Sequence, residues 1–380
     1  MDIRTPRATG IDMGLLYAVL ALLAVGLLAI YSASYVASGA GKVLRQGIWV
    51  VIGLAGMGIM SRIDFRPWSR YWRLLTTLSV IMLIVTLLVA HPINGARAWI
   101  DFRIFRVEPA EFVTLAMIVA LAGLFARYGT RIQLPRYFLH SLLIVAPPCL
   151  LILLQPDLGM VIIICAIWLV MVLVAGARWW MVLLICLSAG LLFTAAWSIP
   201  LPNGKTFIKD YQKARLDFLH ADPSGNGYHQ RQSRIAIGAG GLWGYGYRHG
   251  PQAHSRFLPE QDTDFIFAVI GEEFGLLGCL LVLGLYLFML FRMIRIIEEA
   301  ESPFGQGIAA GAATLFAVHV LVNIGMCLSL SPVTGIPLPF ISYGGSSVLV
   351  NLLVIGLVLN ISRHRQSRRT WVVNEDLVRA

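Results

Sequence analysis

The chain alternates long apolar runs with short polar connections, and the length of the runs decides what they become. Crossing the hydrocarbon of a bilayer as an α-helix takes about 20 consecutive apolar residues. Such runs lie at 12–33, 45–61, 73–91, 109–127, 138–155, 157–175, 179–199, 265–291, 306–330 and 342–361, so the pattern predicts an all-α polytopic membrane protein with ten transmembrane helices. The first run is read as a retained helix, although Arg4 and Arg7 precede it, because its apolar stretch outlasts the h-region of a signal peptide. The stretch 138–175 is divided in two. As one helix it would reach nearly two membrane thicknesses at about 1.5 Å per residue, and Gln155-Pro156-Asp157 suits a tight turn better than the middle of a bilayer.

Composition agrees with the pattern: 58% hydrophobic and 13% charged residues exclude a string of soluble domains. The net charge of +10 does not point to nucleic acid, because the charges sit in the connections. With the N-terminus inside, 17 of the 30 Lys and Arg residues fall in inner connections, five in short outer loops and eight in the long loop 200–264, which the positive-inside rule exempts. Both termini, including the tail 362–380, are therefore expected in the cytoplasm. Residues 1–380 read as one transmembrane domain with a large extracytoplasmic loop between the seventh and eighth spans. Cys149, Cys165, Cys186, Cys279 and Cys327 lie within apolar runs without a CxxC spacing and read as packing residues.

This parity puts 91–108, 155–159, 200–264 and 331–341 on the outer side, where the unusual sequences lie. The segment 331–345 carries Pro332, Pro337, Pro339, Gly335, Gly344 and Gly345 and cannot be a regular helix. Non-helical backbone at membrane depth is tolerated only where protein buries it or where it lines a wet cavity, so the segment is expected to dip into an outer pocket; an ordinary interfacial loop is the competing reading. In 258–273, Asp262, Thr263 and Asp264 are all able to cap the eighth span. Glu272 and Glu273 lie deeper, where an ionised group costs several kcal/mol without a partner or cavity. On a regular helix Glu272 is the better candidate to share an acidic cavity with Asp264, with Glu273 on the opposite side. Arg97 lies in the outer loop. Pro109 suits a first turn and leaves Glu108 as a boundary acid, whereas Glu111 must take a partner from another segment or carry a proton. Loop 200–264 interleaves Lys205, Lys209, Lys213, Arg215, Arg231, Arg234, Arg248 and Arg256 with aromatic residues. That pattern fits a phosphate or sugar headgroup and, equally, a solvated membrane surface. GAGGLWGYG at 238–246 is not a GxGxxG, and Walker A, HExxH and GxSxG are absent.

The runs NGARAWI (94–100), EPAEF (108–112), QPDLG (155–159), GYHQRQSRIAIGAGG (227–241), FLPEQDTDFIFAVIGEE (257–273), NIGM (323–326) and PVTGIPLPFISYGGSS (332–347) together resemble the SEDS family of cell-wall polymerases, in family order over most of the chain. GYH (227–229) and HGPQ (249–252) are similar to its RodA-like elongation branch more than to its FtsW-like division branch. The resemblance implies a ten-helix peptidoglycan glycosyltransferase that joins lipid II into glycan strands on the outer face of the bacterial inner membrane, during elongation and cell-shape maintenance. It also implies a class B penicillin-binding protein and other elongation-complex membrane proteins as partners, and it maps the family's essential carboxylate onto Asp264.

Chain extension requires a sugar 4-hydroxyl to attack an anomeric carbon and expel a lipid pyrophosphate. A carboxylate can take the proton, and cations can offset the leaving charge. Asp264 is accordingly read as the general base. Arg97, Glu111, Asp157, Arg231, Gln232, Ser233, Arg234, Glu272, Ser342 and Tyr343 are read as the substrate-binding set. Asp264 and Asp262 are the acids open to a divalent cation, Mg or Mn; no organic cofactor is expected. The sequence also departs from the family. Thr114 stands where many relatives carry Lys after the glutamate, Ala110 replaces Ser, Tyr245 replaces Lys, and Asp262 replaces the His before the Thr-Asp pair. Asp262 adds negative charge beside Asp264, which works against ionisation there. Two other functions fit membrane-embedded acids and broken helices, a lipid flippase and a non-catalytic scaffold for the penicillin-binding protein. Crowding of the motifs at one face argues against the flippase.

Overall fold

The computed structural model describes residues 10–91, 97–102, 105–198, 226–251, 258 and 260–364. Lys205, Lys209, Lys213, Arg215, Arg256, and all of the tail beyond His364, lie outside the described residues. The chain is helical throughout: α1 (Met13–Ser38), α2 (Gly41–Met60), α3 (Trp72–Val89), α4 (Pro109–Tyr128), α5 (Pro135–Leu154), α6 (Leu158–Val174), α7 (Trp179–Ser198), α8 (Asn226–Ala239), α9 (Ile266–Glu299), α10 (Pro303–Cys327) and α11 (Gly345–Arg363). A two-stranded hairpin pairs β1 (Ile100–Asp101) with β2 (Arg106–Val107), Ile100 opposite Val107.

Among the described residues, eight helices are long and apolar enough to cross a membrane: α1 to α5 and α9 to α11. Two more apolar helices are shorter, Leu158–Val174 and the Trp179–Leu191 part of α7. At about 1.5 Å per residue α6 falls a few ångströms short of a hydrocarbon core about 30 Å thick. The central helices α4, α10 and α11 are mostly buried, while α2 and α3 turn most of their surface outward. Outward side chains such as Leu78, Ile81, Leu143, Leu184 and Leu287 are apolar and exposed, as lipid-facing positions are.

The 138–175 stretch does divide: α5 ends at Leu154, and Asp157 caps α6 by accepting from the Met160 amide at 3.1 Å. Pro147 and Pro148 stay inside α5. Three other expectations need correction. Helix α2 starts at Gly41, four residues before the apolar run begins, because Lys42 is a good helix former that hydropathy alone excludes. The loop 200–264 carries a helix of its own, α8. The eighth span is longer than expected and is not regular: Gly275, at φ 63°, interrupts α9.

The run Gly240–Gly246 fits into that interruption. The Tyr245 and Gly246 amides donate to the Glu272 and Glu273 carbonyls at 3.0 and 2.9 Å, and the Leu276 and Leu277 amides donate to the Gly241 and Leu242 carbonyls at 2.9 and 3.3 Å. Backbone groups freed by the break are thus paired by a second segment, as a membrane-buried break requires. A Cβ on Gly244, at φ 76°, would stand 2.1 Å from the Glu273 carbonyl oxygen.

Residues 328–344 contain no helix, and Ser329, Gly335 and Phe340 take φ values of 58°, 72° and 66°. Ile336, Leu338, Phe340, Ile341 and Ser342 are buried, and the Tyr286 hydroxyl of α9 donates to the Pro339 carbonyl. Protein therefore encloses the second half of this segment, from Ile336 to Ser342, while Gly335 stays exposed.

Candidate active site

The unusual segments gather at one end of the bundle. There the Arg97 amide donates to the Gln155 carbonyl at 3.3 Å, Lys42 meets Asp262, and the re-entrant segment 328–344 meets the turn before α9. At the other end Arg292 of α9 pairs with Asp12, which caps α1, and Arg66 pairs with Glu301.

Asp264 lies in a turn, not in a helix. The Thr263, Asp264 and Phe265 amides all donate to the Glu260 carbonyl, at 3.2, 3.1 and 3.3 Å, and α9 begins two residues later without any side-chain cap. The N-cap position of α9 is Phe265, so Asp264 does not occupy it. Its residue is half-buried, and its carboxylate stands beside Gly335: a Cβ built there would lie 3.6 Å from Asp264 Oδ2. Gly335 is exposed, so the acid sits where the missing side chain leaves the outer surface open.

The turn is held from three sides. Asn323 Nδ2 of α10 donates to the carbonyls of Asp264 and Ile336, both at 2.8 Å, tying the turn to the re-entrant segment. Ser342 Oγ donates to the Thr263 carbonyl at 2.5 Å and accepts from the Leu338 amide at 2.8 Å, while the Tyr343 amide donates to the Asp262 carbonyl at 2.8 Å. From α8, His229 stacks on Phe265 at 6.2 Å between centroids; burial lowers its pKa, with Glu260 acting in the opposite direction.

The other acids occupy separate places. Glu272 is fully buried and packs under Gly250, where a Cβ would come within 2.6 Å of its Oε2. The helical wheel that brought it toward Asp264 does not apply, because Asp264 precedes the helix and the 240–250 segment covers Glu272. Glu273 accepts a hydrogen bond from Ser32 of α1. Glu111 is buried, with Oε2 unpaired, and lines a small cavity together with Thr114, Met160, Leu315, His319, Ser347 and Asn351. Its neighbour Glu108 is more than a boundary acid. Burial, then the Glu111 and Asp157 carboxylates and a hydrogen bond with Asp157, push its pKa well above the usual range, partly opposed by a hydrogen bond with Trp99.

Of the predicted contacts, Arg97, Arg231 and Arg234 are exposed and Gln232 is half-buried. Ser233 is buried and donates to the Cys327 carbonyl at 2.9 Å, so it fastens α8 to α10, and Ser342 likewise braces the Asp264 turn. Tyr343 lies with its ring centroid 5.6 Å from Lys42 Nζ. Asp262 is turned to Lys42, and among the described residues no group of three or more His, Cys, Asp or Glu side chains comes together to hold a metal ion. Sequence reasoning passed over Lys42, Gln46, Asn323 and His319. The amide pattern of NIGM carried a signal for Asn323, because a polar side chain inside an apolar span needs a partner.

Comparison with known proteins gives consistent matches. A family model for FtsW, RodA and SpoVE, described as "Cell cycle protein", covers residues 13–367. The peptidoglycan glycosyltransferase MrdB of Escherichia coli K12 is 34% identical over 362 residues, 94% of each chain. Stage V sporulation protein E of Bacillus subtilis 168 is 36% identical over 372 residues, 95% of this chain and 99% of that one. Among solved structures, a chain from work on the structural coordination of polymerization and crosslinking by a peptidoglycan synthase complex superposes with a TM-score of 0.79 at 30% identity, covering 93% of this chain and 98% of that one. The rod shape determining protein RodA of Thermus thermophilus superposes with a TM-score of 0.69 at 26% identity, covering 94% and 98%.

Proposed function

The chain belongs to the FtsW, RodA and SpoVE family, and from that premise we infer that it is a peptidoglycan glycosyltransferase of the elongation type with Asp264 as its general base. The substrate is lipid II. The 4-hydroxyl of one sugar attacks the anomeric carbon of another, the hydroxyl proton passes to the Asp264 carboxylate, and the bond from the anomeric carbon to undecaprenyl pyrophosphate breaks with its electron pair on the pyrophosphate. A positioned carboxylate contributes about 10²–10⁴ in rate to such a step. The exposed Arg97, Arg231 and Arg234 are the side chains assigned to the leaving phosphates. No step is routed through a cation.

The observation that carries this reading is the placement of Asp264. Its backbone is clamped by Asn323, and its carboxylate stands beside an exposed glycine at the end where the family motifs converge. The chain crosses the inner membrane ten times in this proposal, with α6 and α7 as the short crossings, both termini in the cytoplasm and the Asp264 end outside. The solved relative comes from a complex that couples polymerization to crosslinking. The partner proposed here is accordingly a class B penicillin-binding protein, with other elongation-complex membrane proteins around the pair.

Purified protein given labelled lipid II tests the assignment. Wild type forms glycan strands, and Asp264→Asn forms none while eluting and binding its partner unchanged. Strands of normal length and yield from Asp264→Asn would remove Asp264 from the chemistry. Leaflet exchange without product would make the protein a flippase, and neither activity would leave a scaffold.

A further inference from the structure

We propose that Lys42, at the start of α2, is a positioning residue for Asp264, acting through the Asp262 carboxylate. The inference rests on Asp264 being the base. Lys42 and Gln46 are four residues apart and share one face of α2. Lys42 Nζ pairs with Asp262 Oδ2; the lysine side chain is 36% exposed and the aspartate only 8%. One turn on, Gln46 Nε2 donates to the Ser342 carbonyl at 3.3 Å, and its Oε1 accepts from the Gly344 amide at 3.1 Å.

One helix face thus grips both segments that frame Asp264: the 260–265 turn through Lys42 and the re-entrant segment through Gln46. The two segments are in turn tied together by the Tyr343 amide on Asp262 and the Ser342 hydroxyl on Thr263. An uncompensated carboxylate two residues from the base, nearly shielded from water, would repel charge on Asp264 and pull the turn toward any other cation. Lys42 cancels that charge locally.

The pairing predicts a coupling that a phosphate-binding lysine would not give. In the lipid II assay, Lys42→Ala should lower kcat about tenfold with KM within about twofold of wild type, because the damage is to placement of the base and not to ground-state binding. Lys42→Arg should retain most of the rate. The double variant Lys42→Ala/Asp262→Asn, with neither charge, should recover most of what Lys42→Ala loses, since removing both members of a buried pair costs less than orphaning one. Lys42→Gln serves in the same cycle if the alanine variant does not yield folded protein, as judged by its elution profile and melting temperature.

A double variant no better than the worse single one, or a loss confined to KM, would overturn the proposal and give Lys42 a direct role on the substrate. Failure of the base assignment would look different: Asp264→Asn would then polymerise normally, whatever the Lys42 variants do.

Discussion

Asn323 shows how much one side chain settles at the residue scale. Its amide nitrogen is the shared donor for the Asp264 and Ile336 carbonyls, in a site where a buried carbonyl left without a donor costs about 1–3 kcal/mol. Asn323→Ala should therefore lower both the melting temperature and the polymerisation rate. Asn323→Asp should be worse on both, because an ionised carboxylate offers only acceptors to two carbonyls. Thermal melting in detergent and the lipid II assay check the order; an aspartate variant equal to wild type would show that the clamp is dispensable. Glu111 teaches a different lesson. With Thr114 in place of lysine no local Glu-Lys pair can form, and the cavity side chains Thr114, His319, Ser347 and Asn351 surround Glu111. Thr114 lies three residues from Glu111 on α4, but His319 comes from α10 and Ser347 and Asn351 from α11, and no local spacing in the sequence brings those to it.

Among the elements, α9 is the one whose form departs most from its hydropathy. A run of 34 residues from Ile266 to Glu299 looks continuous because its side chains are apolar on both sides of the break, yet Gly275 turns the backbone into a region that costs other residues about 1–3 kcal/mol. A Cβ at Gly275 would also stand 2.5 Å from the Gly244 nitrogen. Gly275→Ala should melt well below wild type. Gly284→Ala, in the same helix with nothing within 4 Å of the added Cβ, should be neutral or stabilised by up to about 1 kcal/mol through helix propensity. Equal melting temperatures for the two variants would mean that the inserted 240–246 segment does not depend on the break.

At the scale of the whole molecule, the two ends carry different chemistry and so predict an orientation. The Asp264 end is proposed outside, and the end with Asp12, Arg292, Arg66 and Arg131 inside, in line with the distribution of basic residues. In a cysteine-free background, Glu260→Cys should react with a membrane-impermeant maleimide on intact cells, and Arg131→Cys only after permeabilisation. Both original residues are exposed, so accessibility does not confound the comparison. The reverse pattern would turn the protein over and exclude lipid II chemistry at an outer face.

The apolar runs by themselves determined that this chain is a polytopic helical membrane protein, because spanning hydrocarbon requires a length that hydropathy records directly. Local rules also reached further. They found the Asp157 turn between α5 and α6 and the segment before Gly345 that forms no helix; Asp264 as the acid to watch came from family resemblance. Tertiary structure decided the rest: that Glu272 is covered by the 240–250 segment instead of joining Asp264, that Ser233 and Ser342 brace the site, and that Lys42 answers Asp262 across 220 residues of chain. The physical reason is one of range. Length and period act between near neighbours, but a buried polar group is satisfied by whichever distant segment the packing of helices brings within hydrogen-bond reach.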